Sequence, residues 1–129
     1  MTDERRWRVL LLDDSEISLE VAADVLSEAG FDVRSTTTLD GFDTELEEWS
    51  PEVILTDVNM PGMTGNELCQ ALKCRYETAH VPVVLWSSLP DTELEKLARE
   101  CEADGFVHKS GDMESLSEEV RTLVENLIW

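Results

Sequence analysis

Three apolar runs along the chain each stop abruptly at polar side chains. Each run has the length of a strand, consists mainly of apolar residues, and lacks alternating polarity, which is typical of strands buried on both faces. The polar residues at their ends are Asp13, Asp57 and Ser87. Strands of this kind occur in parallel sheets that helices cover on both sides. The three segments are residues 8–14, 53–57 and 82–87.

The rest of the chain predicts five helices and two weaker strands. Gly30 is suited to end the first helix, and Pro51 ends the second. Segment 31–35 carries interleaved charges, which suits an edge strand, and residues 105–108 form a short fifth strand. The first two predicted helices span residues 15–29 and 39–49. The third, fourth and fifth are predicted to begin at Thr64, Pro90 and Asp112. Five strand–helix units with right-handed crossovers predict an α/β fold, a three-layer sandwich around a parallel sheet.

The length of 129 residues and the apolar content of 42% suit one domain with a single core. We expect this domain to cover residues 1–129, with a core over about residues 7–128 and no output domain. No apolar run approaches the roughly 20 residues of a membrane span, and no signal peptide is visible. The three cysteines match no disulfide or metal pattern, so we expect a cytoplasmic protein with buried thiols. They are Cys69, Cys74 and Cys101.

Charge is the extreme property of this composition. There are 29 acidic and 10 basic residues, for a net charge of −19. A surface of that balance repels nucleic acid phosphates and anionic lipids, so we expect neither nucleic acid nor membrane as a partner. Basic or apolar protein surfaces are the partners that it favours.

Candidate chemistry lies in the residues that end the strands. A parallel sheet brings the carboxyl ends of its strands to one edge, where ligands bind. Three clustered carboxylates repel one another and call for a counter-ion, and oxygen ligands with few protein donors suit Mg²⁺. A metal and a lysine around Asp57 would stabilise a phosphoryl group in transit to that carboxylate, although Asp57 taken alone could equally begin a turn. The strand-end residues are Asp13, Asp14, Asp57, Ser87 and Lys109.

Four motifs together resemble the receiver domain of two-component response regulators. They occur in the family's order, and the match covers essentially the whole chain. The resemblance implies a flavodoxin-like (βα)5 fold with the strand order 2-1-3-4-5. The motifs are the pair Asp13-Asp14, the run Asp57-x-x-Met60-Pro61-x-Met63-x-Gly65, Ser87 five residues after Pro82, and the segment from Gly105 to Lys109.

The resemblance implies a phosphoacceptor site with a bound metal. Asp57 would accept a phosphoryl group from a phosphohistidine on a histidine kinase or a histidine phosphotransfer protein, and would later lose it by autodephosphorylation. Asp13, Asp14, Asp57 and the backbone carbonyl of Asn59 would hold Mg²⁺. The protein would then be a signalling phosphoacceptor rather than an enzyme acting on other substrates.

The resemblance also implies a conformational switch. Ser87 would donate a hydrogen bond to the phosphoryl group, Lys109 would pair with one of its oxygens, and Phe106 would change rotamer together with Ser87. The chain departs from the family's pattern after Lys109, where proline is usual and Ser110 stands here. This departure puts the aim of the Lys109 ammonium in doubt.

A protein contact is the expected output. We predict a downstream target on the face made by the fourth predicted helix, the fifth strand and the fifth helix, called helix 4, strand 5 and helix 5 in the family. Because this face is acidic, we expect partner binding to weaken with salt. Its acidic residues include Glu93, Glu95, Glu100, Glu114 and Glu118.

Other functions agree less well with the residues. An aspartate-nucleophile phosphatase would need a second acid two residues after Asp57, where Asn59 stands. A flavin carrier would need a phosphate-binding loop after the first strand, and Asp13 and Asp14 would repel the phosphate. The remaining alternative is a receiver-like docking module that is never phosphorylated, and Ser110 keeps that alternative open.

Overall fold

Strands and helices alternate along the chain in the computed structural model, which describes residues 7–57, 59–60, 63–64, 67, 81–87, 89–100, 103–108 and 113–128. The strands are β1 (Arg8–Leu12), β2 (Asp32–Thr36), β3 (Val53–Asp57), β4 (Val83–Ser87) and β5 (Gly105–His108). The helices are α1 (Glu16–Glu28), α2 (Leu39–Trp49), α3 (Asp91–Glu100) and α4 (Met113–Ile128). Helices α3 and α4 are the fourth and fifth predicted helices. Of the third, the structure describes only Glu67, which is helical.

The five strands form one parallel sheet in the order β2-β1-β3-β4-β5. This order confirms the predicted fold and the edge position of β2. Strand β3 lies at the centre, and its register with β4 sets Asp57 opposite Trp86. The central position explains the unbroken apolar run before Asp57, because both faces of β3 are covered.

Helices cover the sheet on both sides, as the three-layer prediction requires. Alternate residues of the central strands point to opposite faces, so the sheet contributes to two separate apolar clusters. On one side the sheet packs against the helices α2 and α3, through residues that include Leu10, Ile54, Leu85, Phe42 and Leu94. On the other side it packs against α1 and α4, through residues that include Leu11, Leu55, Trp86, Leu26 and Leu116. None of the helices described here is long and apolar enough to cross a membrane.

The end of α1 corrects the predicted start of the second strand. The N–H of Gly30 donates to the carbonyl of Ser27, and the N–H of Phe31 donates to the carbonyl of Leu26. These two bonds form a Schellman motif, and Gly30 adopts the positive φ of 100° that favours glycine there. Because the N–H of Phe31 caps the helix, β2 begins at Asp32, one residue later than predicted.

A short antiparallel ladder follows the central strand and was not predicted. It pairs Asn59–Met60 with Met63–Thr64. The sequence places a proline and a glycine between the two segments, a combination that often marks a hairpin turn. The three cysteines, Cys69, Cys74 and Cys101, lie outside the described residues. Asp112, the predicted cap of the last helix, lies outside them as well.

Candidate functional site

Three carboxylates meet at the carboxyl edge of the sheet. Strands β1 and β3 are paired in parallel, with Leu12 opposite Thr56, so the next residue of each strand brings Asp13 and Asp57 side by side. One carboxylate oxygen from each of Asp13, Asp14 and Asp57 lies within 4.8 Å of the others. The structure therefore brings together the acidic residues that the sequence analysis selected.

Asp13 is held in place by backbone groups on both sides. Its side chain is fully buried, and its Oδ1 accepts a hydrogen bond of 3.0 Å from the N–H of Ser15. Its own N–H donates to the carbonyl of Thr36 at 3.3 Å, which ties the end of β1 to the end of β2. The orientation of this carboxylate is thus set by the backbone of the loop that begins α1.

The other two carboxylates differ in their exposure. Asp57 is only 9% exposed, whereas Asp14 is exposed to solvent. The buried hydroxyl of Thr56 donates to the carbonyl oxygen of Asp57 at 3.1 Å, so this polar group within the core is hydrogen-bonded. The cluster is therefore buried at Asp13 and Asp57 and open to solvent at Asp14, where a reactant can approach.

The donor set suits a hard divalent cation. All three side chains offer carboxylate oxygens, and three negative charges within 4.8 Å repel one another unless a cation lies among them. Mg²⁺ is commonly bound by a few carboxylates together with water and phosphate oxygens. The cluster of Asp13, Asp14 and Asp57 could therefore hold a metal ion, and its oxygen donors fit the chemistry of the expected Mg²⁺.

Ser87 ends the neighbouring strand close to this edge. It is 4% exposed and lies one residue beyond Trp86, the register partner of Asp57. Its Oγ accepts a hydrogen bond of 3.1 Å from the N–H of Leu89. This bond uses a lone pair of the hydroxyl and leaves its hydrogen to donate elsewhere.

The remaining predicted site residues are placed less fully. Lys109 and Ser110 lie outside the described residues and follow His108, the last residue of β5. Asn59 is described as part of the short ladder. Phe106 is half-buried on β5 and packs against the cluster beneath α2 and α3. Its position agrees with a core role as well as with the expected switch.

Two exposed apolar residues near the site escaped the sequence analysis. Among the residues that the structure describes, the large hydrophobic side chains exposed to solvent are Ile17, at 76%, and Val21, at 40%. They lie four residues apart on α1, which starts just after Asp14, and so share one face of the helix. Their signal in the sequence is their position off the inward stripe that contains Leu19 and Leu26.

The family model of the response regulator receiver domain matches residues 9–121. Among curated relatives, the DNA-binding response regulator MtrA of Mycolicibacterium smegmatis is 31% identical over 119 residues, covering 92% of this chain and 51% of MtrA. The regulatory protein VanRB of Enterococcus faecalis is 28% identical over 117 residues, covering 91% of this chain and 52% of VanRB. The chain thus spans about half the length of these relatives.

Solved structures show the same fold. The signal receiver domain of a signal transduction histidine kinase from Syntrophus aciditrophicus superposes with a TM-score of 0.80 at 28% identity, covering 94% of this chain and 92% of that one. The chemotaxis response regulator CheY4 of Vibrio cholerae superposes with a TM-score of 0.83, covering 92% of this chain and 99% of CheY4. At 24% identity, the likeness to CheY4 is evidence of the fold alone.

Proposed function

The chain belongs to the response regulator receiver domain family, and from that premise we propose that it accepts a phosphoryl group on Asp57. The donor is a phosphohistidine on a histidine kinase or a histidine phosphotransfer protein. A carboxylate oxygen of Asp57 attacks phosphorus, the bond from phosphorus to the imidazole nitrogen breaks, and the donor histidine, protonated on its other ring nitrogen, leaves as the neutral imidazole. Hydrolysis of the aspartyl phosphate later returns Asp57 to its free form.

The observation that carries this proposal is the carboxylate cluster at the end of the central strand. Asp57 is nearly buried, faces the same edge as Asp13 and Asp14, and lies within 4.8 Å of both through carboxylate oxygens. A structural aspartate has no need of two further carboxylates at this distance, because each adds repulsion. A site for a metal and a transferred phosphoryl group explains why they are together.

Asp13, Asp14 and Asp57 would hold Mg²⁺, with the backbone carbonyl of Asn59 as a further ligand. When bound, the metal offsets two of the three negative charges of the acidic cluster and stabilises the charge on the phosphoryl oxygens. The hydrogen bond from the N–H of Ser15 to Asp13 Oδ1 keeps that carboxylate oriented toward the cluster. The protein would thus contribute a preorganised set of carboxylate ligands for the metal.

The other polar side chains of the edge would recognise the phosphoryl group. Ser87 would donate its hydroxyl hydrogen to a phosphoryl oxygen, since its Oγ already accepts from the N–H of Leu89. Lys109 would supply a positive charge to another oxygen. Phe106 would change rotamer as the loop after β4 moves, and the bound phosphoryl group would shift an existing equilibrium between two states.

The exposed pair on α1 supports docking of a donor protein beside the acidic site. Ile17 and Val21 place apolar surface next to Asp14, on a helix whose neighbouring positions are largely polar. An apolar contact there would bring the donor histidine to the open side of the cluster. This surface, rather than the acidic cluster, would contribute most of the affinity for the donor.

The output would be a contact with a protein in the cytoplasm. We place it on the α3–β5–α4 face, formed by Asp91–Glu100, Gly105–His108 and Met113–Ile128. The net charge of −19 argues against direct binding of this chain to nucleic acid. MtrA is named as DNA-binding, but this chain spans only about half of that relative.

Incubation with acetyl phosphate and Mg²⁺, followed by intact mass spectrometry, tests the acceptor role. The wild type should gain the mass of one phosphoryl group, and Asp57→Asn should gain none. Equal labelling of both proteins would assign the phosphoryl group to another residue. No labelling of the folded wild type would favour the docking module that is never phosphorylated.

A further inference from the structure

Thr56 is a polar residue inside the apolar core, directly before Asp57. It is 0% exposed, and its register partners on the two neighbouring strands, Leu12 and Leu85, are both fully buried. Alternation along β3 sets it on the same face as Ile54, another fully buried apolar residue. A buried hydroxyl costs free energy relative to an apolar group of the same shape unless it is hydrogen-bonded. Packing alone therefore favours valine at this position.

The hydroxyl of Thr56 makes a contact that valine could not make. Its Oγ1 donates a hydrogen bond of 3.1 Å to the backbone carbonyl oxygen of Asp57, within the buried part of the strand. Because the acceptor is the carbonyl oxygen, the bond holds the peptide group through which the chain leaves β3. The rotation of a planar peptide group sets the direction in which the chain continues. A core side chain thus acts on the backbone of the acceptor residue.

The chain that continues from this peptide group leads to the last proposed ligand of the metal. Asn59, whose backbone carbonyl is that ligand, is separated from Asp57 by one residue. It lies in the short antiparallel ladder, in register with Thr64. The approach to Asn59 is therefore fixed by the Thr56 hydroxyl on one side and by the ladder on the other.

We propose that Thr56 is a positioning residue for the metal site and acts through the backbone of Asp57. Its hydroxyl fixes the peptide group after the acceptor, and this peptide group orients the short connection to the carbonyl of Asn59. Mg²⁺ demands nearly ideal octahedral geometry, so a small rotation of one ligand weakens its binding. Successive side chains of a strand point to opposite faces, so Thr56 points away from the Asp57 carboxylate and is not itself a ligand.

This role rests on the proposed function, because it concerns the metal that serves phosphoryl transfer. It also has a counterpart at the neighbouring strand, where the N–H of Ser15 holds Asp13 Oδ1 at 3.0 Å. Both buried strand ends of the site are thus oriented by a hydrogen bond to an adjacent loop or strand residue. The bond at Asp13 comes from the backbone and survives substitution, whereas the bond at Asp57 comes from a side chain and can be removed.

The test compares two substitutions that remove different parts of the Thr56 side chain. Thr56→Val keeps the shape and removes the hydroxyl, whereas Thr56→Ser keeps the hydroxyl and removes the methyl group. Calorimetric titration with Mg²⁺ measures the affinity of the folded, unphosphorylated protein. Urea unfolding in EDTA measures stability without the metal.

We expect the two variants to differ in opposite ways. Thr56→Val should bind Mg²⁺ about tenfold more weakly than the wild type, as is common when a group that orients a metal ligand is lost. Its midpoint of urea unfolding should stay close to that of the wild type. Thr56→Ser should unfold at a lower urea concentration, because it lacks a buried methyl group, and should keep the Mg²⁺ affinity of the wild type. A purely structural role of Thr56 would leave the Mg²⁺ affinity of both folded variants unchanged.

Thr122→Val supplies a matched control on the helix α4. The hydroxyl of Thr122 donates to the carbonyl of Glu118 at 2.9 Å, so the variant removes the same kind of bond outside the site. Its affinity for Mg²⁺ should equal that of the wild type. Equal Mg²⁺ affinities of Thr56→Val and the wild type, or equal losses in Thr56→Val and in either Thr56→Ser or Thr122→Val, would overturn the proposal.

Labelling by acetyl phosphate at several Mg²⁺ concentrations separates this role from the acceptor role. Thr56→Val should be labelled more slowly than the wild type at low Mg²⁺ and at a similar rate at saturating Mg²⁺. A deficit that persists at saturation would contradict action through the metal ligand. Normal labelling of Thr56→Val at every concentration, with unchanged Mg²⁺ affinity, would contradict the role of Thr56 alone. A wild type that neither binds Mg²⁺ nor becomes labelled would contradict the proposed function and the role of Thr56 together.

Discussion

The N–H of Ser15 donates a hydrogen bond of 3.0 Å to Asp13 Oδ1, while Ser15 Oγ accepts one of 3.3 Å from the N–H of Ser18. One residue thus caps α1 with its side chain and orients a site carboxylate with its backbone. The two roles can be separated, because a substitution of the side chain leaves the N–H in place.

We predict that Ser15→Ala destabilises the fold by about 1 kcal/mol, the usual cost of losing a helix N-cap. Its affinity for Mg²⁺ should stay close to that of the wild type, because the bond to Asp13 survives. Ser15→Asn should restore the cap and most of the stability. Urea unfolding and calorimetric titration with Mg²⁺ measure the two effects. A large loss of Mg²⁺ affinity in Ser15→Ala would show that the side chain also shapes the site.

Removal of one charge from the acidic cluster should have opposite effects with and without metal. In EDTA, Asp14→Asn should stabilise the fold by about 1 kcal/mol, because it removes repulsion between carboxylates whose oxygens lie within 4.8 Å of one another in a largely aqueous setting. In excess Mg²⁺ the same variant should lose most of the stabilisation that the metal gives to the wild type. Thermal melts in the two buffers make the comparison. Asp24→Asn, on the exposed side of α1, changes the net charge equally and should respond to Mg²⁺ as the wild type does.

Gly41 should resist a substitution that normally strengthens a helix. Alanine is favoured over glycine inside helices by about 1 kcal/mol, but a Cβ at Gly41 would clash with Thr36 Oγ1. We therefore expect Gly41→Ala to destabilise the fold by about 1–3 kcal/mol through overpacking. Adding Thr36→Ala should recover part of this loss and not all of it, because it removes Thr36 Oγ1 but leaves Thr38 Oγ1 at 3.1 Å and Cβ of residue 36 at 3.4 Å. Additive effects in urea unfolding of the single and double variants would argue against a direct clash.

The exposed apolar residue Ile17 should matter for transfer from a protein and not from a small molecule. Ile17 is 76% exposed, so we expect Ile17→Ser to change the free energy of unfolding by less than about 0.5 kcal/mol. Labelling by acetyl phosphate should be unchanged, whereas transfer from a phosphorylated histidine kinase active on the wild type should slow severalfold. Glu20→Ser, on an exposed position of the same helix, serves as the control. Equal transfer rates for Ile17→Ser and the wild type would place donor docking elsewhere.

The parts of the site that are predictable from sequence are those that lie at strand ends. Each central strand is buried on both faces, so its apolar run stops where the sheet edge begins, and Asp13, Asp57 and Ser87 mark those points. A parallel sheet then requires these residues to share an edge. The fold follows from the same pattern, since only helices on both faces can cover such strands.

Contacts that depend on how the elements pack in three dimensions leave no comparable pattern in the sequence. The start of β2 depends on the capping bond from the Phe31 N–H, and the closeness of Gly41 to Thr36 depends on how α2 lies on the sheet. Asp104 illustrates the same limit, because its carboxylate accepts from the N–H of Val83 at 2.8 Å and fixes the edge between β4 and β5. Its residue type alone does not distinguish this structural role from a catalytic one.

The most direct test of the acceptor site uses beryllofluoride, a mimic of a phosphoryl group on a carboxylate. Trp86 is 1% exposed, adjoins Ser87 and is the register partner of Asp57, so its fluorescence should report the site. Calorimetry and fluorescence would follow a titration with beryllofluoride in Mg²⁺, with Trp86→Phe to assign the signal. We predict saturable binding that requires Mg²⁺ and disappears in Asp57→Asn. Binding that persists in Asp57→Asn, or no calorimetric binding by the folded wild type, would contradict the assignment of Asp57 as the phosphoacceptor.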